Sequence, residues 1–371
     1  MFELLREGLR IFSRKINVNA NGWKKYPGND KEICKEIINR CYDSKNRYFR
    51  TSVGNYTFFY ARDFGWCTEP LINLGYKQEV DSTLKYALKI YEKDGQITVA
   101  INDKKKAFNF PEIYSPDSVA YIFRSLRIAK SRRLIEKYSK FLNVQVKEFE
   151  REVLKDDGML LARNFSGMRD YIRETRLCYD MTMACMLCDE INRINDMMGH
   201  TVIDNVLKKH NLKSKLLKNY WNGKYFIDGP NDKYCSGHAN TYPYYLDVIS
   251  YRKMLKSSIK SMQDANLDKP FPLEYGYSKN TKFIWLNIFA KDWEKDTMWA
   301  MLGMAYINII MRVDKDKAAL HIEQYKKNIL NNHCFIEVYS GFGPYKSSFY
   351  AADDSMLWAS MYLDLKNKLK S

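Results

Sequence analysis

The chain has 371 residues, of which 46% are hydrophobic and 28% charged, and its formal net charge is +16. This composition is typical of a globular protein that buries a large core in one large domain or two ordinary ones. No run of about 18 apolar residues occurs, which argues against a membrane-spanning helix. The basic residues are spread along the chain without a nucleic-acid-binding motif, so neither nucleic acid nor a membrane is an expected partner.

The cysteines and the amino-terminal segment bear on the compartment. Segment 1–23 is amphipathic and lacks the unbroken apolar stretch and cleavage site of a secretory signal. Eight cysteines are scattered, mostly inside apolar stretches. Cys185 and Cys188 have C-x-x-C spacing, but no second Cys or His pair follows at zinc-finger spacing. We therefore expect a cytoplasmic protein with reduced cysteines, no metal and no other cofactor.

Helical patterns dominate the chain. Apolar residues recur at helical spacing in segments separated by connections that contain Gly, Pro, Asn or Asp. The predicted helices cover residues 31–42, 67–75, 78–93, 116–129, 131–154, 178–197, 200–219, 239–249, 251–266, 295–312, 315–331 and 353–369. Short strand-like pieces between them read RYFRTS, QITVAIN, GKYFID and CFIEVYS.

The order of these elements restricts the fold. Long strands do not alternate with helices, so a parallel α/β sheet is not predicted. No linker divides the chain, which favours a single domain over residues 1–371 with 1–29 as an amino-terminal extension. About twelve helices joined by alternating short and long connections fit a closed ring of helical hairpins. A repeat solenoid is the competing layout, but no fixed sequence period is present.

Polar and aromatic residues gather in the connections, where a helical scaffold presents its chemistry. In YARDFGW, which begins at Tyr60, Arg62 and Asp63 could bind ligand hydroxyls while Trp66 stacks on a ring. An ordinary Asp at a helix amino terminus explains Asp63 equally well. In SPDSVAYIF, Asp117 follows a proline in the pattern of a helix start, which favours a structural role.

A middle segment, NFSGMRDYIRETRLCYDM, holds two carboxylates before a helix. Asp170 and Glu174 lie among three arginines, an arrangement also typical of a solvated salt-bridge cluster. A carboxylic acid that donates a proton needs a raised pKa, and adjacent arginines lower it. The residues alone leave both interpretations open.

Two later stretches complete the candidate set. GKYFIDGPNDKYCSGHANTYPYYLDVI contains His238 and Asn240, although a lone histidine is more often structural. FIEVYSGFGPYKSSFYAADDSMLWAS places the carboxylate Glu337 among aromatic residues, either as an ordinary turn residue or as the lining of a pocket.

Taken in order, these motifs resemble the six-hairpin glycosidases, the superfamily that holds glucoamylase, trehalase, the glucosidase part of glycogen debranching enzyme and the neutral invertases. FYARDFGW looks like their aromatic-R-D element, and GMRDYIRETRLCYDM is similar to the methionine-x-aspartate element of the neutral invertases. FIEVYSGFGPYKSSFYAADDSMLWAS resembles their terminal E-x-Y block. The resemblance implies an all-α (α/α)6 toroid of about twelve helices with short β pieces in loops.

The resemblance also implies roles for individual residues. It suggests an inverting hydrolysis of a glycosidic bond, with Asp170 as general acid and Glu337 as general base, about 6.5–9.5 Å apart. Glu174 is the reserve acid. The substrate-binding residues it suggests are Tyr60, Arg62, Asp63, Trp66, Asp117, Glu174, His238, Asn240, Tyr339, Tyr345 and Trp358.

Three functions remain open at this level. The first is hydrolysis of an α-glucoside or a related small glycan. The second is hydrolysis of uronyl or unsaturated-uronide glycans, which the basic charge would suit. The third is carbohydrate binding without catalysis, which would keep the aromatic residues and need neither carboxylate. Sugar, linkage, chain length and oligomeric state are not encoded in any motif found here.

Overall fold

The computed structural model describes residues 2–110, 112–169, 174–231, 233–276, 290, 293–294 and 296–370. Fourteen α-helices occupy this part of the chain. They are α1 (Phe2–Asn21), α2 (Asp30–Cys41), α3 (Ala61–Asn73), α4 (Lys77–Asp94), α5 (Pro116–Ile128), α6 (Arg132–Lys137), α7 (Ser139–Val153), α8 (Cys178–Met198), α9 (Leu212–Tyr220), α10 (Gly237–Tyr245), α11 (Arg252–Asp264), α12 (Ala300–Met311), α13 (Lys315–Asn332) and α14 (Ala359–Lys368).

Six of these helices form a closed inner ring. Helices α3, α5, α8, α10, α12 and α14 each contact the next, and α14 returns to contact α3. Helices α2, α4, α7, α9, α11 and α13 pack against the outside of this ring. The predicted all-α (α/α)6 toroid is therefore confirmed.

The position of a helix in the ring explains its sequence pattern. Helix α12, AMLGMAYINIIM, is apolar nearly all round and almost wholly buried, because inner helices are covered by neighbours on several sides. Outer helix α13 buries one stripe that includes Ala318, Ile322, Tyr325 and Ile329, and it leaves its other residues to water.

Short antiparallel strands lie in the connections. They are β1 (Tyr42–Asp43), β2 (Tyr48–Phe49), β3 (Phe59–Tyr60), β4 (Ala100–Ile101), β5 (Ala107–Phe108), β6 (Met298–Trp299), β7 (Val338–Ser340) and β8 (Gly343–Pro344). They pair as β1-β2, β3-β4-β5 and β6-β7-β8. In the last sheet Trp299 is opposite Val338, which places Glu337 beside the start of α12.

Several predicted helices differ from the observed ones, among them the helix predicted over 353–369, which begins at Ala359. The helix predicted over 67–75 begins at Ala61, because its amino terminus has no side-chain cap that would mark it in the sequence. The segment 131–154 is divided at Tyr138 into α6 and α7. The segment 200–219 holds a short 3-10 helix and then α9, separated by Asn211 in the left-handed conformation with φ 47°.

Helix α1 precedes the ring and docks on two of its connections. The Arg10 Nη1 donates to the Gly54 carbonyl at 2.7 Å, and Arg14 Nη1 donates to the Ala351 carbonyl at 3.1 Å. None of the helices described has both the length and the apolar character needed to cross a bilayer. Each of the eight cysteines is free.

Candidate active site

Glu337 lies where three connections of the ring meet. Its backbone N–H donates to the Asp353 carbonyl at 2.9 Å, and its own carbonyl accepts from Ala300 N–H at 2.9 Å. The side chain is only 1% exposed. Its Oε2 accepts hydrogen bonds from the Asp353 backbone N–H at 2.8 Å and from the Tyr350 hydroxyl. The carboxyl group is thus held in one position inside the protein.

The surroundings of Glu337 favour its protonated form. Burial raises its pKa, and the negative charge of Asp353 raises it further. The hydrogen bonds from Asp353 N–H and Tyr350 act in the opposite direction, and the pKa comes to about 7. A carboxylate with a pKa near the operating pH is well suited to accept a proton during catalysis.

Aromatic side chains surround this carboxyl group. The hydroxyls of Tyr56 and Tyr350 are 2.9 Å apart, and the Trp293 ring centroid lies 4.8 Å from that of Tyr350. Tyr345 is a more distant neighbour, with its ring centroid 6.4 Å from Tyr350. Tyr56 and Tyr350 were not among the predicted substrate-binding residues, because a tyrosine in a connection carries no sign of what its hydroxyl contacts.

Asp353 is a second buried carboxylate behind Glu337. It accepts from Ser52 Oγ at 2.6 Å, from Ser355 N–H at 2.8 Å and from Asn55 N–H. These contacts join the connection around residues 52–56 to the turn that follows Tyr350. Asp353 was also absent from the predicted site.

Arg62 and Asp117, both predicted, meet across helices α3 and α5. Arg62 Nε and Asp117 Oδ2 are 2.5 Å apart. Asp117 also accepts from Ser115 Oγ at 2.6 Å and from the Tyr179 hydroxyl, at the start of α8, at 3.1 Å. The amino termini of three inner helices are therefore linked at the same end of the ring.

Asp63 and Trp358 form a second predicted pair. The Trp358 indole N–H donates to Asp63 Oδ1 at 2.9 Å, which joins α3 to the start of α14. Burial raises the pKa of Asp63 to about 6, although Arg62 and the Trp358 bond lower it. Arg62 and Asp63 of YARDFGW, which were expected before a helix, thus lie in the first turn of α3.

His238 pairs with Asp228 in a fully buried ionic cluster. His238 Nε2 is 3.0 Å from Asp228 Oδ1, and Arg169 Nη1 is 4.0 Å from Asp228 Oδ2. Ser236 Oγ and the Tyr234 hydroxyl donate to the same carboxylate at 2.9 and 3.1 Å. Burial alone would raise the pKa of Asp228, but His238, Arg169 and Ser236 outweigh it and lower the pKa to about 2.

Arg169 connects this cluster to the Glu337 side of the ring. Its Nη2 donates to the Glu294 carbonyl at 3.0 Å, and its guanidinium lies 5.4 Å from the centre of the Tyr275 ring. Glu294 directly follows Trp293, which packs on Tyr350. Arg169, the residue before Asp170, is therefore linked to Tyr350 through the Glu294 carbonyl and the packing of Trp293. Tyr350 in turn donates a hydrogen bond to Glu337.

The two predicted acids are placed differently. Asp170 lies outside the described residues. Glu174 is partly exposed, and its Oε1 accepts from the Asn231 backbone N–H at 3.2 Å. The reserve acid is therefore engaged with a neighbouring connection.

Asp180, in the first turn of α8, is a buried carboxyl group that no sequence motif marked. Burial raises its pKa well above the usual range, and the charges of Asp117 and Asp228 act in the same direction. Among the residues that the structure describes, none donates a hydrogen bond to the carboxyl group of Asp180. In sequence it is one more acid near a helix start, so only its surroundings distinguish it.

Four predicted residues have other surroundings. Trp66 is enclosed by aromatic rings, and its indole N–H donates to Tyr121 at 2.7 Å. Asn240 bonds both backbone groups of Phe226 at 2.8 Å. Tyr339 packs edge-on against a phenylalanine in the core. The fourth, Tyr60, is half-buried beside Tyr56, with ring centroids 5.9 Å apart.

These contacts divide the predicted residues. Trp66, Asn240 and Tyr339 are buried and contact core residues, and their roles in substrate binding stay a prediction. Across the described ranges, no group of three or more His, Cys, Asp or Glu side chains is arranged to hold a metal ion.

Comparison with known proteins shows similarity in structure. No family model and no curated protein sequence matches the chain. A rhamnosidase from Klebsiella oxytoca with rhamnose bound has a TM-score of 0.66 at 10% identity, over 92% of this chain. The match spans 63% of that rhamnosidase chain.

Two further solved structures match over nearly their whole length. A glycosidase in complex with glucose has a TM-score of 0.69 at 9% identity, over 92% of this chain and 97% of that one. A metal-independent α-mannosidase from Streptococcus pneumoniae, in a non-productive complex with α-1,6-mannobiose, has a TM-score of 0.61 at 13% identity, over 99% and 98%. At such identities the likeness establishes a shared fold.

Proposed function

We propose that this protein is a glycoside hydrolase that inverts the anomeric configuration, with Glu337 as general base and Asp170 as general acid. The observation that carries the proposal is the state of Glu337: a buried carboxyl group, fixed by two hydrogen bonds, with a pKa of about 7. It occurs in a fold that known glycosidases share.

The chemistry follows from two carboxyl groups on opposite faces of a sugar ring. Ionised Glu337 removes a proton from water, whose oxygen attacks the anomeric carbon as the glycosidic C–O bond breaks. The acid gives its proton to the departing oxygen, so the products are a free sugar and an alcohol. The hydrogen bonds from Asp353 N–H and the Tyr350 hydroxyl both end on Oε2 of Glu337.

A neutral sugar fits the described residues better than a uronide. Arg62 and Arg169 are the site arginines, and they already contact Asp117 and Asp228. Such paired arginines can donate to sugar hydroxyls, but they offer little unbalanced positive charge to an acidic sugar. The bound sugars of the similar structures belong to those proteins, and we propose an α-glucoside or a related small glycan for this chain.

The buried carboxyl group also favours catalysis over simple binding. A binding protein of this fold would need aromatic and hydroxyl contacts, but it would gain nothing from an acid removed from water. Removing the charge of Glu337 therefore tests the proposal directly.

The test is sugar release from a panel of α-glucosides, α-mannosides, α-rhamnosides, sucrose, trehalose and uronides. We expect one class to be cleaved and Glu337→Gln to lose at least about a hundredfold in kcat/KM, the typical contribution of a general base. Asp264→Asn, which changes an exposed carboxylate at the end of α11, is the matched control and should retain activity. NMR of the first-formed anomer reports inversion or retention.

Three variants identify the acid: Asp170→Asn, Glu174→Gln and Asp180→Asn. The true acid should be dispensable for a substrate whose leaving group needs no proton, such as a dinitrophenyl glycoside, and essential for a natural one. Failure to cleave any substrate in the panel would favour a binding protein. Cleavage that Glu337→Gln leaves intact would remove Glu337 from the mechanism.

A further inference from the structure

We propose that Arg14, in the helix that precedes the ring, is a positioning residue that holds the two connections around Glu337 and offsets their negative charge. Its catalytic consequence depends on the proposed function, whereas its effect on the ionisation of Glu337 does not. Arg14 belongs to the segment that the sequence marks only as an amino-terminal extension.

The first observation is the set of bonds that Arg14 makes. Its Nη1 lies 3.1 and 3.2 Å from the carbonyl oxygens of Ala351 and Ala352, and 3.3 Å from Asn55 Oδ1. Its Nη2 is 2.8 Å from Asp354 Oδ2. The last contact lacks hydrogen-bond alignment, so it acts mainly through charge. One guanidinium thus bridges two connections from opposite ends of the chain.

The second observation is what those connections carry. The first holds Tyr56, whose hydroxyl is 2.9 Å from that of Tyr350. The second holds Tyr350 and Asp353, which are the two donors to Glu337 Oε2. Arg14 therefore touches the two segments that supply the hydrogen bonds described for the side chain of Glu337, without touching Glu337 itself.

The third observation is the charge balance. Glu337, Asp353 and Asp354 are three buried acids close together, and Arg14, with a side chain only 14% exposed, contacts one of them directly. Burial would lower the pKa of Arg14, but the charges of Asp353 and Asp354 outweigh it and raise the pKa. Arg14 therefore remains a cation within this acidic group.

Other charged groups near these acids are directed elsewhere. Lys24 donates its backbone N–H to Asp354 at 2.9 Å, while its ammonium lies 5.1 Å from the centre of the Tyr26 ring. The Lys346 ammonium lies 4.1 Å from the centre of the Trp23 ring. Tyr56 and Tyr350 are the titratable hydroxyls that face Glu337, and neither is ionised at neutral pH because burial raises its pKa.

These facts fix the sign of the effect. Removing a positive charge stabilises the protonated state of nearby acids, so Glu337, Asp353 and Asp354 together take up their first proton at a higher pH. Burial raises the pKa of both Glu337 and Asp353, but Asp353 accepts three hydrogen bonds that favour its ionised form, so Glu337 takes this proton. Loss of Arg14 should therefore move the titration of Glu337 upward.

Arg10 provides a matched control one turn earlier on the same helix. Its Nη1 donates to the Gly54 carbonyl at 2.7 Å and its Nη2 to the Asn55 carbonyl. Arg10→Gln should therefore weaken the docking of α1 to a similar degree as Arg14→Gln. It removes bonds to backbone carbonyls, and it leaves the contact with Asp354 in place.

The experiment follows the carboxyl C=O infrared band that Glu337→Gln removes, as a function of pH, in the full chain. We expect Arg14→Gln to move its midpoint upward, Arg14→Lys to restore it, and Arg10→Gln to leave it unchanged. The acid limb of the pH profile of kcat/KM should move with this midpoint. At pH values below the limb, kcat/KM should fall about tenfold for each pH unit of upward movement.

Two results separate the possible failures. Equal losses of Tm in Arg14→Gln and Arg10→Gln with an unmoved infrared midpoint would overturn the proposal and leave Arg14 a structural residue. A moved midpoint in a protein that cleaves no glycoside would support Arg14 as the positioning residue and reject the proposed function.

Discussion

Glu337 and Asp228 are two carboxylates in different connections of the ring, each 1% exposed, yet their pKa values are shifted in opposite directions. The pKa of Glu337 is raised to about 7 and that of Asp228 is lowered to about 2. Asp228 has His238 at 3.0 Å and Arg169 at 4.0 Å, whereas Glu337 receives hydrogen bonds from neutral donors and faces the acid Asp353. Burial is common to both, so the polar and charged neighbours decide the direction in which each pKa moves.

The largest expected effect comes from removing the carboxylate of Asp228. Asp228→Asn would remove one carboxylate beside the buried Arg169, whose Nε also lies 3.9 Å from Glu294 Oε2, and we expect the free energy of unfolding to fall by about 3–5 kcal/mol. Urea unfolding at pH 7 measures it. Asp247→Asn removes a surface pair with Arg312 at 2.9 Å and should cost less than about 1 kcal/mol. Similar losses in both variants would show that Asp228 is not held by buried charge.

The second prediction concerns the pH dependence of stability. The pKa of Glu337 in the folded protein is raised from 4.5 to about 7, so its contribution is fully present below pH 4.5 and is lost as the pH rises through 7. The loss amounts to about 3 kcal/mol at most. Glu337→Gln cannot ionise, so its stability relative to the parent protein should rise by that amount between pH 4 and pH 8.

Urea unfolding of both proteins at the two pH values checks this prediction. Glu36→Gln, at an exposed position on α2, is the control, and its difference from the parent should stay below about 0.5 kcal/mol. A difference for Glu337→Gln that does not change with pH would mean that Glu337 ionises at the same pH in the folded and the unfolded protein, so that its pKa is not raised.

A smaller effect is expected from removing one neutral donor. Tyr350→Phe keeps the ring beside Trp293 and deletes the bond to Glu337, which costs about 1.5–3 kcal/mol when the acceptor is charged. Because that bond lowers the pKa of Glu337, the acid limb of kcat/KM should move to higher pH. Tyr244→Phe, which loses a neutral bond to Ser258 at 3.0 Å, should cost about 1 kcal/mol and leave the limb in place.

The smallest expected effect is a change in the opposite direction. Asp353→Asn removes the like charge that raises the pKa of Glu337. It keeps one acceptor oxygen, for either the Ser52 hydroxyl or the Ser355 N–H, because these two groups donate to different oxygens of Asp353. The acid limb should therefore move to lower pH, which pH–rate profiles of the two proteins compare. An unmoved limb would indicate that burial alone raises the pKa of Glu337.

The helical part of the fold was predictable because periodicity is a local property of the sequence. Helix α4 extends over Lys77–Asp94 against a predicted 78–93, and α8 over Cys178–Met198 against 178–197. Boundaries without capping side chains were placed less well, as at Ala61. The ring itself was expected from the number of helices and from the resemblance.

The candidate site was only partly predictable. The pairs Arg62–Asp117 and Asp63–Trp358 consist of residues that motifs had already marked. Trp66 and Asn240 were marked by the same kind of motif, yet they are packed as core residues. A motif selects residue types suited to a ligand, but it does not report which way a side chain points.

The sequence by itself determined the helices, their approximate limits and the residues that could carry chemistry, because these depend on neighbours along the chain. Only the tertiary structure decided that Glu337 is surrounded by Tyr56, Tyr350 and Asp353, and that Arg14 reaches the same place from the first helix. Such contacts join residues far apart in the sequence. Because the ionisation of a carboxyl group depends on burial and on the charges it meets, its role is fixed only when the ring closes.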